Sequence, residues 1–202
     1  MLDARLLPLQ SKLMTPPARL LSRAGISPDQ VTLTGFFLGA LALPALWSGA
    51  TGVALALILA NRLADGLDGA LARLRTPTAR GAFLDIALDF VFYALVPLGF
   101  ALMDPDRNAL AAALLLASFV GTGSSFLAFS VIAEQQGLTA RDYPTKGIIY
   151  SSGLTEGFET IVFFCAICIW PTAFPILAAI FSVAAFLTTV SRWAMGWHLF
   201  RP

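Results

Sequence analysis

The chain has 202 residues, of which 57% are hydrophobic and 12% charged, with a formal net charge of +1. A soluble domain carries about twice that share of charge, so a water-soluble globule is excluded. The near-neutral balance offers no basic surface to a nucleic acid, and none is expected as a partner. A mean hydropathy of +0.78 makes the expected fold all-α and polytopic in a membrane.

In chain order, residues 2–23 come first. Leu2, Leu6, Leu7, Leu9, Leu13, Leu20 and Leu21 alternate with Arg5, Lys12, Arg19 and Arg23, and Pro8 and Pro16-Pro17 interrupt the pattern. This predicts one or two short amphipathic helices lying in the membrane interface, with the basic groups toward anionic head groups. No apolar core of about 7–15 residues precedes a small-residue cleavage site, so no cleavable leader is expected. Ser27-Pro28-Asp29 reads as a cap followed by a helix-start proline. Six apolar stretches then follow, at roughly 31–50, 52–74, 82–103, 109–132, 155–171 and 173–197, each long enough to cross the bilayer. The expected organisation is an amphipathic N-terminal segment, residues 1–30, and a six-helix transmembrane domain, residues 31–202.

Basic residues set the expected orientation. Arg5, Lys12, Arg19, Arg23, Arg75, Arg80, Arg141, Lys146 and Arg201 all fall on one side, and only Arg107 falls on the other. Both termini and the turn between the second and third spans should therefore be cytoplasmic. Cys165 and Cys168 lie within the fifth span and read as small buried hydrophobes. With a lone His198 they cannot assemble a zinc set, and His198, Trp193 and Trp197 read as an interfacial belt.

Four of the twelve acidic side chains stand inside the second and third spans: Asp65, Asp68, Asp85 and Asp89. One charge at the bilayer centre costs roughly 2.5–3.5 kcal/mol, and four uncompensated ones on the order of 10 kcal/mol. Something must offset that cost. Asp65 and Asp68 are i, i+3 and share one helix face, and Asp85 and Asp89 are i, i+4 and share another. Two facing helices with two carboxylates each describe a cage for hard divalent cations, Mg²⁺ or Mn²⁺ rather than zinc. A structural ion-pair cluster is the competing account. Only Arg62 and Arg73 are near in sequence, too few for four carboxylates. At 100° per residue, Asp65, Asp68, Gly69, Ala72 and Arg73 fall at about 0°, 300°, 40°, 340° and 80°, one stripe. Gly69 and Ala72 lack bulk, so a flat base or a diphosphate could approach the backbone, with further room at Gly66. Arg73 could pair with a phosphate. Close helix packing is the other explanation for these small residues.

The run Asp65-Gly-Leu-Asp68-Gly69-Ala-Leu-Ala72-Arg73, followed by Gly81-Ala-Phe-Leu-Asp85-Ile-Ala-Leu-Asp89, resembles the signature of the CDP-alcohol phosphatidyltransferase family. Every fixed position is filled. The seven-residue spacer between Arg73 and Gly81 is one residue shorter than usual and falls in a predicted turn, Thr76-Pro77-Thr78, where a length change is tolerated. The resemblance implies an enzyme of phospholipid synthesis in a bacterial or archaeal inner membrane. It implies CDP-diacylglycerol as donor, a small alcohol as acceptor, CMP as leaving group and a homodimer. It further implies two divalent ions held by Asp65, Asp68, Asp85 and Asp89, with Asp89 accepting the hydroxyl proton, and a donor site formed by Asp68, Gly69, Ala72 and Arg73. Ala109, Ala112, Ala113, Ala117 and Gly121 would let helices approach closely in such a dimer.

Polar groups that are out of place in the later helices are the candidates for the acceptor pocket. Arg80, Lys146 and Arg192 would suit a phosphorylated acceptor, and Glu156 and Glu159 an amine or a neutral polyol. The loop from Gly137 to Gly153 could close over it. Two other functions stay open at this point. One is the same motif working on a CDP-linked soluble alcohol with diacylglycerol as acceptor. The other is an ion-coupled transporter, although no internal repeat supports it.

Overall fold

The computed structural model describes residues 2–137 and 155–200, and these form helices with no strand among them. The first, α1, is Leu2–Arg23. It runs through Pro8, Pro16 and Pro17 without a break, where the sequence predicted an interruption. Pro16 and Pro17 are exposed, and so are Lys12 and Leu13, whose carbonyls lose their helical donors. Met14, Ala18 and Leu21, spaced i, i+4, i+7, pack on Leu67, Ala70 and Leu71. Gly25, at φ +78°, then reverses the chain. Its N–H donates to Ser22 O, and Ile26 N–H donates to Leu21 O, the paired bonds of a glycine-ended helix.

Helix α2, Pro28–Ala40, starts where the sequence placed it. Ser27 Oγ accepts from Gln30 N–H at 3.3 Å, and Gln30 Oε1 accepts from Ser27 N–H at 2.8 Å. The first span is not one helix. It breaks at Leu41 and resumes as α3, Ala42–Trp47. Pro44 has no N–H to offer the carbonyl of Ala40, which ends the α2 ladder there. Then come α4, Thr51–Leu74, α5, Ala79–Met103, and α6, Pro105–Gln135. After residue 154 follow α7, Gly157–Ile169, a 3₁₀ turn, Pro171–Ala173, and α8, Phe174–Leu199.

Among the described residues, four stretches are long and apolar enough to cross a membrane: Pro28–Trp47, Ala79–Met103, Pro105–Gln135 and Pro171–Leu199. The sequence predicted six. At 24 residues α4 is long enough, about 36 Å, and it is its charges that set it apart. Helix α7 has 13 residues, about 20 Å, because Glu156-Gly157 opens it and Trp170-Pro171 ends it.

The core is aromatic. Phe92, Phe100, Phe164 and Phe174 are fully buried, and Phe100 stacks on Phe174 with centroids 4.4 Å apart. What positions the site is α2. It packs on both α4 and α5, while α4 and α5 hardly touch each other. A Cβ on Gly35 would stand 2.5 Å from Ala64 Cβ, and one on Gly39 would stand 2.9 Å from Asn61 Cγ. Two glycines thus let α2 settle onto α4 and leave a cleft between the aspartate-bearing faces of α4 and α5.

Candidate active site

The four aspartates that the sequence singled out line this one cleft. Asp68 is buried, Asp65 and Asp89 are half-buried, and Asp85 is exposed. Asp68 and Asp85 are placed by different devices. Thr32, in the second turn of α2, donates its hydroxyl to Asp68 Oδ2 at 2.5 Å. Thr78 caps α5 by accepting from Gly81 N–H at 3.0 Å, which fixes the turn that presents Asp85.

Arg62, which the sequence weighed as an ion-pair partner and set aside, is seated in the cleft. Its guanidinium pairs with Asp89, Nη2 to Oδ1 at 2.5 Å and Nη1 to Oδ2 at 3.3 Å, and lies 3.9 Å from Asp65 Oδ2. Its Nε donates to Asn61 Oδ1 at 2.8 Å, and Asn61 Nδ2 donates in turn to Gly35 O at 3.0 Å. Nη1 also reaches Tyr93 OH at 3.2 Å, and the guanidinium lies over the Phe92 ring, 4.6 Å from its centroid. An ion pair therefore offsets part of the carboxylate charge. Four carboxylates against one guanidinium still leave a negative excess that water, protons or metal must balance. An all-carboxylate set with adjacent hydroxyls fits a hard cation in its chemistry. Among the described residues, no three acidic, cysteine or histidine side chains already converge on one point as ligands.

Two larger cavities open from the cleft. One, of about 340 Å³, is lined by Asp68, Gly69, Ala72, Gly81 and Asp85, with Thr32, Arg75 and Arg80 at its walls. Packing does not explain Gly69. A Cβ there would meet only its own helix's Arg73, at 3.4 Å. Gly66 is buried and outside this lining, and Arg73 is exposed and also outside it. Arg80 pairs with Asp29 at 2.6 Å on the wall of this cavity, away from the acceptor group to which the sequence assigned it.

The other cavity, of about 500 Å³, is lined by Asp85, Asp89, Tyr93, Thr155, Glu156, Thr160 and Arg192. Arg192 Nη1 donates to Thr122 O at 2.9 Å. Glu156 forms the cap of α7 with Glu159, whose Oε2 accepts from Glu156 N–H at 3.2 Å. The structure thus brings Glu156 and Arg192 together beside Asp89. Lys146 and most of the loop from Gly137 to Gly153 lie outside the described residues. Cys165 and Cys168 are free, with Cys168 buried in the apolar core.

Sequence reasoning missed Thr32, Asn61, Arg75 and Tyr93 as site residues, and undervalued Arg62, which it had set aside as too little charge for four carboxylates. Arg62 and Asn61 carried a usable cue: two polar side chains in an apolar helix, Arg62 one turn before Asp65. Thr32, Arg75 and Tyr93 carried none.

The comparisons with known proteins agree with one another. The model of the CDP-alcohol phosphatidyltransferase family matches residues 26–198. The inner membrane protein YnjF of Escherichia coli K12 is 50% identical over 192 residues, which cover 95% of this chain and 93% of that protein. Among solved structures, the phosphatidylinositol phosphate synthase PgsA1 of Mycobacterium tuberculosis with CDP-DAG bound superposes with a TM-score of 0.74 at 26% identity. That match covers 92% of this chain and 94% of PgsA1. The same synthase in complex with manganese and citrate gives a TM-score of 0.72 at 27% identity, over 91% and 88% of the two chains. With the motif complete, the fold shared and the family match spanning nearly the whole chain, this protein belongs to the CDP-alcohol phosphatidyltransferase family.

Proposed function

We propose that the chain moves a phosphatidyl group from CDP-diacylglycerol to a small alcohol and releases CMP, in the inner membrane of a bacterium. One observation carries this reading. Asp85 lines both large cavities and the narrow cleft between them, so two substrates can meet on the same carboxylate set from opposite sides. The related synthase with CDP-DAG bound supports the donor, and its complex with manganese supports a divalent ion.

The donor's cytidine and diphosphate occupy the cavity at Asp68, Gly69 and Ala72, where small side chains let a flat base approach the backbone. Asp65, Asp68, Asp85 and Asp89 hold two Mg²⁺ or Mn²⁺ ions. Such ions, when bound, neutralise the diphosphate and the oxygen that leaves with CMP. The acceptor enters the cavity at Glu156 and Arg192. Its hydroxyl oxygen forms a bond to the phosphorus that bears the lipid, the bond from that phosphorus to the CMP oxygen breaks, and Asp89 orients the hydroxyl and takes its proton.

We further place six crossings in the bilayer, with α4 and α7 as the two that fall short of the apolar-length criterion. Both termini are cytoplasmic, residues 1–30 form an interfacial segment and residues 31–202 form the catalytic domain. A homodimer would use Ala109, Ala113 and Ala117, which are exposed at i, i+4, i+8 on α6. Ala112 is buried and Gly121 faces Thr189, so these two are not available to a partner.

The test is CMP release from CDP-diacylglycerol in membranes, against a panel of free and phosphorylated alcohols, with mass spectrometry of the lipid formed. Replacing each of Asp65, Asp68, Asp85 and Asp89 by Asn should lower the rate roughly 100-fold or more, since each change displaces the reacting groups. Near-normal rates in all four variants would refute the site.

A further inference from the structure

Arg62 raises a question that the proposed chemistry does not answer. Its planar fork engages both oxygens of Asp89. A carboxylate held in this way has few lone pairs left for a cation. The guanidinium is not there by chance of rotamer. Asn61, fixed by Gly35 O, orients Nε; Tyr93 OH takes Nη1; and the Phe92 and Tyr93 rings lie 4.6 and 5.2 Å from the guanidinium carbon. With Arg62 so seated, the space directly among the four aspartates is about 10 Å³, close to that of one water.

We infer that Arg62 stands in for one of the two divalent cations: its guanidinium neutralises Asp89 in the metal-free enzyme and must leave that carboxylate before a second ion can bind. The inference rests on the proposed two-ion reading of the carboxylate set. Charge and space point the same way. A divalent ion arriving at Asp65, Asp68 and Asp85 meets no guanidinium locked onto its ligands, apart from the long 3.9 Å contact at Asp65. An ion seeking Asp89 meets a cation already there, and like charges at that range repel. Arg62 is in this sense a positioning residue. It acts through Asp89 and makes the second ion the weaker one, so that this ion is retained best when a diphosphate adds its own oxygens.

The experiment is a Mn²⁺ titration of the full chain in lipid nanodiscs after stripping with chelator, with free Mn²⁺ read by electron paramagnetic resonance. Wild type should bind one ion tightly and a second about tenfold more weakly, the scale on which partners of ligating groups alter metal affinity. In Arg62→Gln the second ion should tighten about tenfold and the first by much less. Arg62→Lys keeps the charge but loses the fork, and should fall between. In the double variant Arg62→Gln with Asp89→Asn, the gain should vanish, because no carboxylate is freed. The inference is overturned if both ions shift equally in Arg62→Gln, if neither shifts, or if the second is lost. Should Arg62→Gln fail to fold, Tyr93→Phe keeps the ring and removes one hydrogen bond to the guanidinium. The second ion should then tighten about twofold, and an unchanged value overturns the inference. Wild type and Arg62→Gln that both bind fewer than two ions overturn the two-ion reading itself and the inference with it.

Discussion

Arg192 faces the cavity beside Asp89, and its Nη1 is held by Thr122 O. In the proposed reaction the donor half is the same whatever the acceptor, so the aspartates cannot select the alcohol. Selection has to come from groups that a wrong acceptor would leave unpaired. Arg192→Gln should therefore raise the acceptor KM roughly 10- to 100-fold and leave the donor KM nearly unchanged, in steady-state assays that vary each substrate in turn. A parallel rise in both would mean that Arg192 serves the diphosphate or the fold. At this scale the sequence was legible where a residue contradicted its surroundings. Asp65, Asp68, Asp85 and Asp89 are charges in apolar helices, and the structure puts all four on one cleft. It was silent where a partner lay far along the chain. Nothing links Thr32 to Asp68 across 36 positions, or Asp29 to Arg80 across 51, until α2 is laid against α4 and α5.

Small residues have two uses in these helices, and the structure separates them. Gly35 and Gly39 of α2 are pressed onto α4, and Gly99 of α5 onto Leu46 of α3, where a Cβ would stand 2.8 Å from that side chain. Gly69 faces open space on the wall of a cavity. The same substitution should thus do opposite things. Gly35→Leu forces α2 off α4 and should lower stability by about 1–3 kcal/mol, read as thermal unfolding in detergent. Gly69→Leu should leave unfolding unchanged while calorimetric affinity for CDP falls at least about tenfold. Equal unfolding shifts in the two variants would return Gly69 to the packing category. Periodicity alone could not make this distinction, because both stripes look alike on a helical wheel. Capping was legible at Ser27, since it depends on near neighbours, while Thr78, read only as part of a turn, proves to be the cap of α5. The continuity of α1 through three prolines was not, because it depends on which carbonyls can stay exposed.

Exposed tryptophans mark two ends of the whole molecule. Trp47 and Trp170 lie at the ends of α3 and α7, and Trp193 and Trp197 near the end of α8, all more than half exposed. At the second of these ends, α1 presents three stripes. Lys12, Arg19 and Arg23 fall within about 40° of one another, Leu13 and Leu20 within about 20°, and Met14, Ala18 and Leu21 within about 60° on the side that packs on α4. The basic and leucine stripes are exposed and adjacent, as an interfacial helix requires. Spin labels at Leu20→Cys and Arg19→Cys, with Cys165 and Cys168 replaced by Ala, test this seat in nanodiscs. The label at Leu20 should be more accessible to oxygen than to a soluble nickel reagent, and the label at Arg19 the reverse. Equal aqueous access at both would lift α1 off the membrane. Hydropathy counted six crossings because it weighs length, whereas the charges of α4 and the short α7 meet a stricter criterion only in part.

The pairing of Arg62 with Asp89 also bears on how the chain reaches its membrane. Helix α4 carries Arg62, Asp65, Asp68 and Arg73, two charges of each sign, so it leaves the ribosome as a segment of no net charge. Helix α5 follows with Asp85 and Asp89, and a resident cation already waits for the more deeply placed of the two. Assembly of the pair in lipid thus begins with Asp89 already paired, and leaves the remaining carboxylate charge to water, protons or metal. On the proposed two-ion reading, a cell short of manganese or magnesium would still seat Asp89 against its own guanidinium in the membrane, and the chain would wait there for the ion.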